Sequence, residues 1–200
     1  VGQRLDGRYE IQRALDRGGM GRIYLAWDHT LEREVVVKIP HAGLMTDGAA
    51  RERFLREVRD LSAHEHPAIL SIIDSGSHTG ENGDLPYAVV QYLQGGNLRQ
   101  RIERQGGRQT RDEILRWLPS IAKALDTVHR NGSLHRDVKP ANILFDDEGH
   151  AILSDFGIAT AIGAPDPDAP TDEIHSQSGR TGSFLGSPAY APPEAIDHIL

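Results

Sequence analysis

Residues 135–145 of this 200-residue chain decide the fold and read His-Arg-Asp-Val-Lys-Pro-Ala-Asn-Ile-Leu-Phe. Polar side chains come first and a short apolar run follows, which is typical of a loop that leads into a buried strand. Within the loop, Asp137 can accept the proton of an attacking hydroxyl, and Lys139 can steady a transferring phosphoryl group. Asn142 can ligate Mg²⁺ through its amide oxygen. The segment therefore indicates phosphoryl-transfer chemistry at the start of a strand.

The next apolar run, residues 151–153, predicts a second short strand that leads into Ser-Asp-Phe-Gly at residues 154–157. Asp155 in this motif is a candidate carboxylate ligand for the same metal. Mg²⁺ prefers oxygen ligands and usually takes only one or two protein carboxylates together with phosphate oxygens. An amide and a carboxylate at neighbouring strand ends therefore suffice for a magnesium site.

A glycine-rich segment near the N-terminus, residues 15–24, lies between two candidate strands. Its glycines, Gly18, Gly19 and Gly21, would let backbone N–H groups approach a polyphosphate without Cβ clashes. By itself the segment fits a plain glycine-rich hairpin turn equally well.

Lys38 ends the apolar run of residues 35–37, and its ammonium group could neutralise phosphate oxygens if a carboxylate holds it in place. Glu57, in the middle of the following predicted helix, can supply that carboxylate. Without further support, both residues fit the description of ordinary solvated charges, which is the commoner fate of Lys and Glu.

The hydrophobic pattern divides the chain into a strand-rich first part and a helical second part. Strands are predicted over residues 9–15, 22–27, 34–39, 69–74 and 87–92, and a helix over about residues 49–63. A long helix is predicted over residues 110–131, with Thr110 as its N-cap. Pro119 predicts a kink or a break in that helix, because an interior proline removes a hydrogen bond. The predicted buried stripe of the helix consists of Ile114, Leu118, Ile121, Leu125 and Val128.

The sequence resembles the protein kinase family over nearly the whole chain. The resemblance rests on four motifs that follow one another in the family's order: the glycine loop, the strand lysine, the His-Arg-Asp segment with Asn142, and Asp-Phe-Gly. The resemblance implies an α+β, two-lobed protein-kinase-like fold. Residues 1–93 would form an N-lobe of antiparallel β-sheet with one main helix. Residues 94–200 would form a mainly helical, incomplete C-lobe. ATP would bind between the lobes together with Mg²⁺ or Mn²⁺.

The resemblance also implies roles for individual residues. The implied catalytic residues are Asp137, Lys139, Lys38 and Glu57, with Glu57 pairing with Lys38, and the implied metal ligands are Asn142 and Asp155. The implied nucleotide-binding residues are Gly18, Gly19, Gly21, Ile23, Val36, Lys38, Gln91, Leu93 and Leu144. His135 would have a structural role and would not act as a base.

A lysine two residues after the catalytic Asp, here Lys139, resembles the serine/threonine branch of the family. The reaction that the resemblance implies is transfer of the γ-phosphoryl group of ATP to Ser or Thr hydroxyls on proteins. Residues 19–21 and 66–69 resemble the eukaryotic-like kinases of bacteria.

A regulatory hypothesis rests on Arg136, because an arginine next to the catalytic carboxylate can pair with a phosphate on the loop that follows. Thr181 and Ser183, just before the segment 186–190, are the preferred autophosphorylation sites. A homodimer of the kinase would serve this autophosphorylation.

One departure from the family keeps an alternative open. Asp16 stands where the first glycine of the phosphate loop is expected, so a negative charge lies near the nucleotide. The alternative function is therefore a nucleotide-binding pseudokinase or a signalling scaffold. A small-molecule phosphotransferase of kinase-like fold is disfavoured by Arg136, Lys139 and residues 186–194, which position a peptide in the family. The histidines have no partners at zinc-like spacing, so we expect no zinc site.

Composition limits the partners and the compartment. The net charge is -7 with Lys and Arg scattered among acids, which argues against nucleic acid as a partner. The chain has no cysteine, so it has neither disulfides nor thiolate metal sites. It also lacks the run of about 18 apolar residues that a membrane span needs, so we expect no membrane contact in this segment. We expect a cytoplasmic kinase domain. The parent protein could carry a membrane anchor beyond residue 200. The start at Val1 suggests a fragment or an alternative start codon.

Overall fold

The computed structural model describes residues 2–18, 21–41, 45, 48, 51–52, 54–55, 58, 65–80, 83–132, 134–135, 137–155 and 190. Its first part is a six-stranded sheet in which neighbours follow the order β1-β2-β3-β4-β6-β5 and every pair is antiparallel. The strands are β1 (Arg4–Leu5), β2 (Tyr9–Gly18), β3 (Gly21–Asp28), β4 (Arg33–Pro40), β5 (Ile72–Gly80) and β6 (Gly83–Gln91). Described residues between β4 and β5, such as Phe54 and Val58, are helical and buried where the 49–63 helix was predicted.

The predicted strands before and after that helix are confirmed, with one shift. The strand predicted over residues 69–74 starts only at Ile72. Ile69 and Leu70 leave the sheet because they bind elsewhere: the Leu70 N–H donates to the Leu153 carbonyl at 2.9 Å, and Ile69 forms a parallel bridge with Leu153. This segment therefore ties the sheet to the second part of the chain.

The described residues of the second part form two helices and a small hairpin. The elements are α1 (Leu98–Arg104), α2 (Arg111–Arg130), a 3-10 turn (Pro140–Asn142), and the antiparallel pair of β7 (Ile143–Phe145) and β8 (Ala151–Leu153). Both hairpin strands lie where the sequence predicts them. Within the described ranges, neither helix is long and apolar enough to cross a lipid bilayer.

Helix α2 begins at its predicted N-cap. The Thr110 Oγ1 accepts the Glu113 N–H at 3.3 Å, and the Glu113 carboxylate accepts the Thr110 N–H at 2.7 Å, which forms a reciprocal capping box. Helix α1 was not predicted, because seven residues are too few to show an apolar period. The capping box of Asn97 and Gln100 was the signal that could have identified it.

The buried stripe of α2 is offset from the predicted one. Leu118 is 43% exposed, so the prediction that it is buried is wrong. The inward face instead runs through Trp117, Ile121, Ala124 and Val128, at spacings of four, three and four residues. A helix with apolar residues on two adjacent rows can bury either row, and only the packing partner decides between them.

Of the kink or break predicted at Pro119, the break does not occur, since α2 continues through this residue. Pro119 lies on the exposed side of the helix, next to Leu115, which is 50% exposed. The carbonyl of Leu115 loses its helical donor but can bond water on this side, so the proline is tolerated. The buried face meanwhile holds the helix against β7 and β8.

A buried ion pair fixes the end of the sheet at the turn between β3 and β4. Asp28, which is 0% exposed, accepts two hydrogen bonds of 2.8 Å from the Arg8 guanidinium. The same carboxylate accepts the N–H groups of Thr30 at 2.9 Å and Leu31 at 3.2 Å, so it closes the turn between β3 and β4. The bond from Arg8 lowers the pKa of Asp28 to about 2. Arg8 also donates to Asp74 of β5 at 3.0 Å.

We predict that Asp28→Ala lowers the free energy of unfolding by about 3–5 kcal/mol, because it removes one partner of a buried ion pair. Urea denaturation of the full-length protein measures this difference. The difference should be complete above about pH 4, the ordinary pKa of an unfolded Asp. It should shrink as the pH falls toward about 2, the folded pKa of Asp28, since only the ionised carboxylate stabilises the fold.

The control is Glu103→Ala, which breaks the exposed pair of Arg99 and Glu103 at 2.9 Å. Exposed pairs contribute little to stability, so this variant should unfold like the wild type. Equal losses in both variants would contradict the assignment.

Candidate active site

Three predicted residues meet at one carboxylate oxygen in the loop before β7. The Oδ2 of Asp137 accepts a hydrogen bond from the Lys139 Nζ at 2.6 Å and another from the Asn142 Nδ2 at 3.0 Å. The Asn142 Nδ2 also donates to the Asp137 carbonyl at 2.8 Å. No hydrogen bond within the described ranges reaches the other carboxylate oxygen, Oδ1. The loop thus presents an oriented carboxylate with one oxygen available as an acceptor.

His135 supports this loop from the interior and is 3% exposed. Its Nδ1 accepts the Asp137 N–H at 3.2 Å, so the ring proton lies on Nε2, which donates to the Ser154 carbonyl at 2.9 Å. Burial lowers the pKa of His135, and the ring is neutral at pH 7. A neutral ring with both nitrogens in use fits the structural role expected for this residue.

Asp155 follows β8, and its carboxylate accepts a hydrogen bond from the Nζ of Lys38 in β4. Burial raises the pKa of Asp155, but the positive charge of Lys38 and its hydrogen bond outweigh burial and lower the pKa below its ordinary value. Asp155 has a φ of 62°, in the left-handed region that few residues other than glycine adopt. The partner expected for Lys38 was Glu57, which lies outside the described residues.

The donor set fits a divalent metal of the magnesium type. Because the Asn142 Nδ2 makes both of its bonds to Asp137, the amide oxygen remains as the acceptor. Ser154, which is 1% exposed, places its Oγ 3.1 Å from the Asn142 carbonyl and 3.3 Å from the Asp155 Oδ2, so the two expected ligands are neighbours. Among the described residues, no group of three or more His, Cys, Asp or Glu could hold a metal. One amide and one carboxylate match the small protein share of Mg²⁺ sites that use phosphate oxygens.

One apolar cluster joins the sheet to β7 and β8, and its partly exposed surface is here called the apolar slot. Four residues expected to contact the nucleotide, Ile23, Val36, Leu93 and Leu144, belong to one cluster. Ile23, Leu93 and Leu144 are partly exposed, so these side chains are available for contact with a ligand. The prediction did not include the other members of this cluster, which are Leu15, Leu70, Ile72, Val90, Tyr92 and Ile152. Their apolar spacing predicts that they are buried, but it does not predict which cluster they join.

The glycine loop is described only at its edges. Gly18 ends β2 and Gly21 begins β3 opposite it, while Gly19 lies outside the described residues. A Cβ on Gly21 would lie 2.4 Å from the Ile39 carbonyl oxygen, so strand packing alone already requires a glycine here. Gln91 ends β6, at the start of the segment expected to bind the adenine edge. Arg136, Thr181 and Ser183, for which a regulatory role is predicted, lie outside the described residues.

A protein kinase domain model matches the sequence over residues 9–199. The chain belongs to the protein kinase family. It is 39% identical to the serine/threonine-protein kinase PrkC of Bacillus subtilis over 194 residues, which are 97% of this chain and 28% of that protein. It is 36% identical to the serine/threonine-protein kinase PknB of Mycobacterium tuberculosis over 190 residues, 95% of this chain and 29% of that protein. The chain therefore spans less than a third of the length of these curated relatives.

Solved kinase structures share the fold. The apo form of PpkA-294 superposes with a TM-score of 0.73 at 26% identity, covering 98% of this chain and 70% of that one. The PknI kinase domain of M. tuberculosis superposes with a TM-score of 0.67 at 28% identity, covering 88% of this chain and 66% of that one. The predicted α+β protein-kinase-like fold is confirmed, as is the resemblance to bacterial serine/threonine kinases.

We predict that Ser154→Ala weakens metal binding, because it removes the hydroxyl that lies between Asn142 and Asp155. Binding of Mn²⁺ in the presence of ADP, read by electron paramagnetic resonance, should weaken by about tenfold. The free energy of unfolding should fall by about 1 kcal/mol.

The matched control is Ser71→Ala, at an exposed serine just before β5. It should alter neither quantity. Unchanged Mn²⁺ affinity in Ser154→Ala would refute the role of this hydroxyl.

Proposed function

We propose that this chain transfers the γ-phosphoryl group of ATP to serine and threonine hydroxyls on proteins. The proposal is carried by the meeting of Lys139 and Asn142 at the Asp137 carboxylate, beside the pair of Lys38 and Asp155. This arrangement combines an acceptor for a hydroxyl proton, two ammonium groups for phosphate charge, and two oxygen ligands for a divalent metal.

Asp137 orients the attacking hydroxyl. Lys139 and Asn142 fix its Oδ2, so Oδ1 accepts the proton of the incoming serine or threonine. Lys139 is 22% exposed, which leaves its ammonium group accessible to a phosphate as well. The chain does little covalent chemistry, and catalysis rests on position and on electrostatic stabilisation.

The phosphate charge is offset from two sides. Lys38 approaches from the sheet, and Lys139 from the loop before β7. A divalent cation, Mg²⁺ or Mn²⁺, neutralises phosphate oxygens when it is bound. Asn142 would hold it through its amide oxygen and Asp155 through its carboxylate. Glu57 completes this proposal as the second carboxylate partner of Lys38.

The adenine ring lies in the apolar slot. Ile23 and Val36 cover one face, Leu144 covers the other, and the backbone from Gln91 to Leu93 bonds the ring edge. Gly18, Gly19 and Gly21 cover the phosphates with backbone N–H groups. In this proposal the slot lies between two lobes. Residues 1–93 form the ATP-binding N-lobe, and residues 94–200 form a partial C-lobe.

The relatives PrkC and PknB are serine/threonine-protein kinases, which supports a serine/threonine protein substrate. A cytoplasmic site of action and a homodimer for autophosphorylation complete the proposal. Nucleic acid and membrane surfaces are not among the proposed partners of this segment.

A second candidate is a nucleotide-binding scaffold without catalytic activity, and Asp16 favours it. Asp16 is exposed in β2, opposite Ile23, next to an irregularity in the strand pairing. Its negative charge weakens the attraction for phosphates at the start of the glycine loop. ATP binding by the wild type without phosphoryl transfer would favour this candidate, and Asp16→Gly would then be the first variant to test for recovery.

We predict that Asp137→Asn lowers phosphoryl transfer at least about a hundredfold, because it removes the acceptor of the hydroxyl proton. The assay uses the full-length protein, γ-labelled ATP, Mg²⁺ and a generic basic protein substrate. ADP affinity should stay within about twofold, since Asp137 does not line the apolar slot.

The matched control is Asp147→Asn, an exposed acid in the turn between β7 and β8. It should retain full transfer. Equal transfer by Asp137→Asn and the wild type would sink the proposed mechanism.

We also predict autophosphorylation between residues 155 and 192, on Thr181 or Ser183, with Arg136 as the partner of the phosphate. Intact-mass and fragment spectra after incubation with ATP and Mg²⁺ measure it, and Asp137→Asn serves as the unphosphorylated reference. Spectra that show no phosphate in this segment would reject the regulatory hypothesis.

A further inference from the structure

We propose that Gly95 is a positioning residue that sets the width of the apolar slot. It does so by fixing the distance between the segment 91–97, here called the connecting segment, and β7. The inference rests on the proposed function, because the width of the slot matters only if a nucleotide base enters it.

The connecting segment is joined to β7 by backbone hydrogen bonds in both directions. The Gly95 N–H donates to the Phe145 carbonyl at 2.9 Å, and the Phe145 N–H donates to the Gly96 carbonyl at 2.9 Å. One step further, Asn97 and Leu144 form an antiparallel bridge. The connecting segment therefore behaves as a short third strand beside the hairpin of β7 and β8.

The approach at Gly95 leaves no room for a side chain. A Cβ there would lie 2.4 Å from the Asp146 carbonyl oxygen, 2.6 Å from the Phe145 carbonyl oxygen and 2.9 Å from the Phe145 carbonyl carbon. All three atoms are backbone and cannot rotate away. The φ of Gly95 is not in the left-handed region, unlike that of Gly96 at +71°. The requirement for glycine at residue 95 is therefore one of space alone.

The β7 strand is held in place from both sides, so the connecting segment is the part that would yield. Phe145 is 2% exposed and packs in the main cluster of the second part. The Arg101 guanidinium of α1 lies 3.5 Å from the centroid of the Phe145 ring and covers its outer face. Arg101 belongs to α1, which follows the connecting segment, so this contact also packs α1 against β7.

The slot connects this contact to the nucleotide. Leu144 belongs to β7 and Leu93 to the connecting segment, and both belong to the cluster that includes Ile23 and Val36. Relieving a 2.4 Å contact to an ordinary one requires a shift of about 1 Å. A gap of that size forfeits a quarter to a half of the dispersion energy of each contact it opens. The phosphate-facing groups of Lys38 and Asp137 are not part of this contact.

The test compares Gly95→Ala with the wild type in the full-length protein. Calorimetric titration with Mg²⁺ and ADP should show a dissociation constant about tenfold higher, and the KM for ATP should rise in parallel. The kcat at saturating ATP should stay within about threefold, because the reacting groups keep their positions. A residue with only a structural role would not separate KM from kcat in this way.

The matched control is Gly76→Ala in β5, away from the slot. A Cβ there would meet the Tyr87 hydroxyl oxygen at 2.6 Å and the Asp6 Oδ2 at 3.0 Å, so this variant should also lower the melting temperature. Its ADP affinity should equal that of the wild type. Equal losses of ADP affinity in the two glycine variants would overturn the inference.

A second variant, Arg101→Ala, removes the cover on Phe145 without adding a clash. Its ADP affinity should fall by about threefold. If Gly95→Ala does not fold, an unchanged ADP affinity in Arg101→Ala overturns the inference.

A wild type that neither binds ADP nor transfers phosphate refutes the proposed function. A wild type that does both while Gly95→Ala matches it refutes only the role of Gly95.

Discussion

The ion pair between Lys38 and Asp155 is the interaction on which the rest of the site depends, because it joins residues 117 positions apart in the sequence. Lys38 comes from the sheet and Asp155 from the end of the small hairpin. Burial raises the pKa of Asp155, and the charge and hydrogen bond of Lys38 are the main causes that bring it below its ordinary value. Together with the bonds between residues 68–70 and Leu153, the pair holds the sheet against the second part of the chain.

Hydrogen bonds extend this constraint to the Asp137 carboxylate. Ser154, next to Asp155, accepts the ring proton of His135 through its carbonyl, and His135 in turn accepts the N–H of Asp137. The Ser154 N–H donates to the Asn142 carbonyl at 2.8 Å. The charged groups at the surface of the site thus rest on a buried, neutral polar frame, in which each described group has a partner. Such a frame costs little when it is fully bonded, and it holds side chains more closely than apolar packing does.

Sequence patterns predicted local structure well. They failed where two conformations or packing arrangements fit the local sequence equally well. The strands, the cap of α2 and the hairpin of β7 and β8 follow from apolar period and turn chemistry. The burial of Leu118 and the break at Pro119 were wrong, because the side of a helix that faces the core, and whether a proline meets water, depend on its packing partner. Ile69 likewise has the residue type of a sheet strand and pairs with β8 instead.

The sequence by itself determined the family, most of the strands and the long helix α2, because these depend on residue types at short spacing. Tertiary structure alone decided that Lys38 meets Asp155, that Arg8 closes the turn through Asp28, and that Gly95 must lack a side chain. The physical reason is the same in each case. These contacts join positions far apart in the chain, and their energies depend on distances of an ångström or less, which no local pattern of residue types encodes.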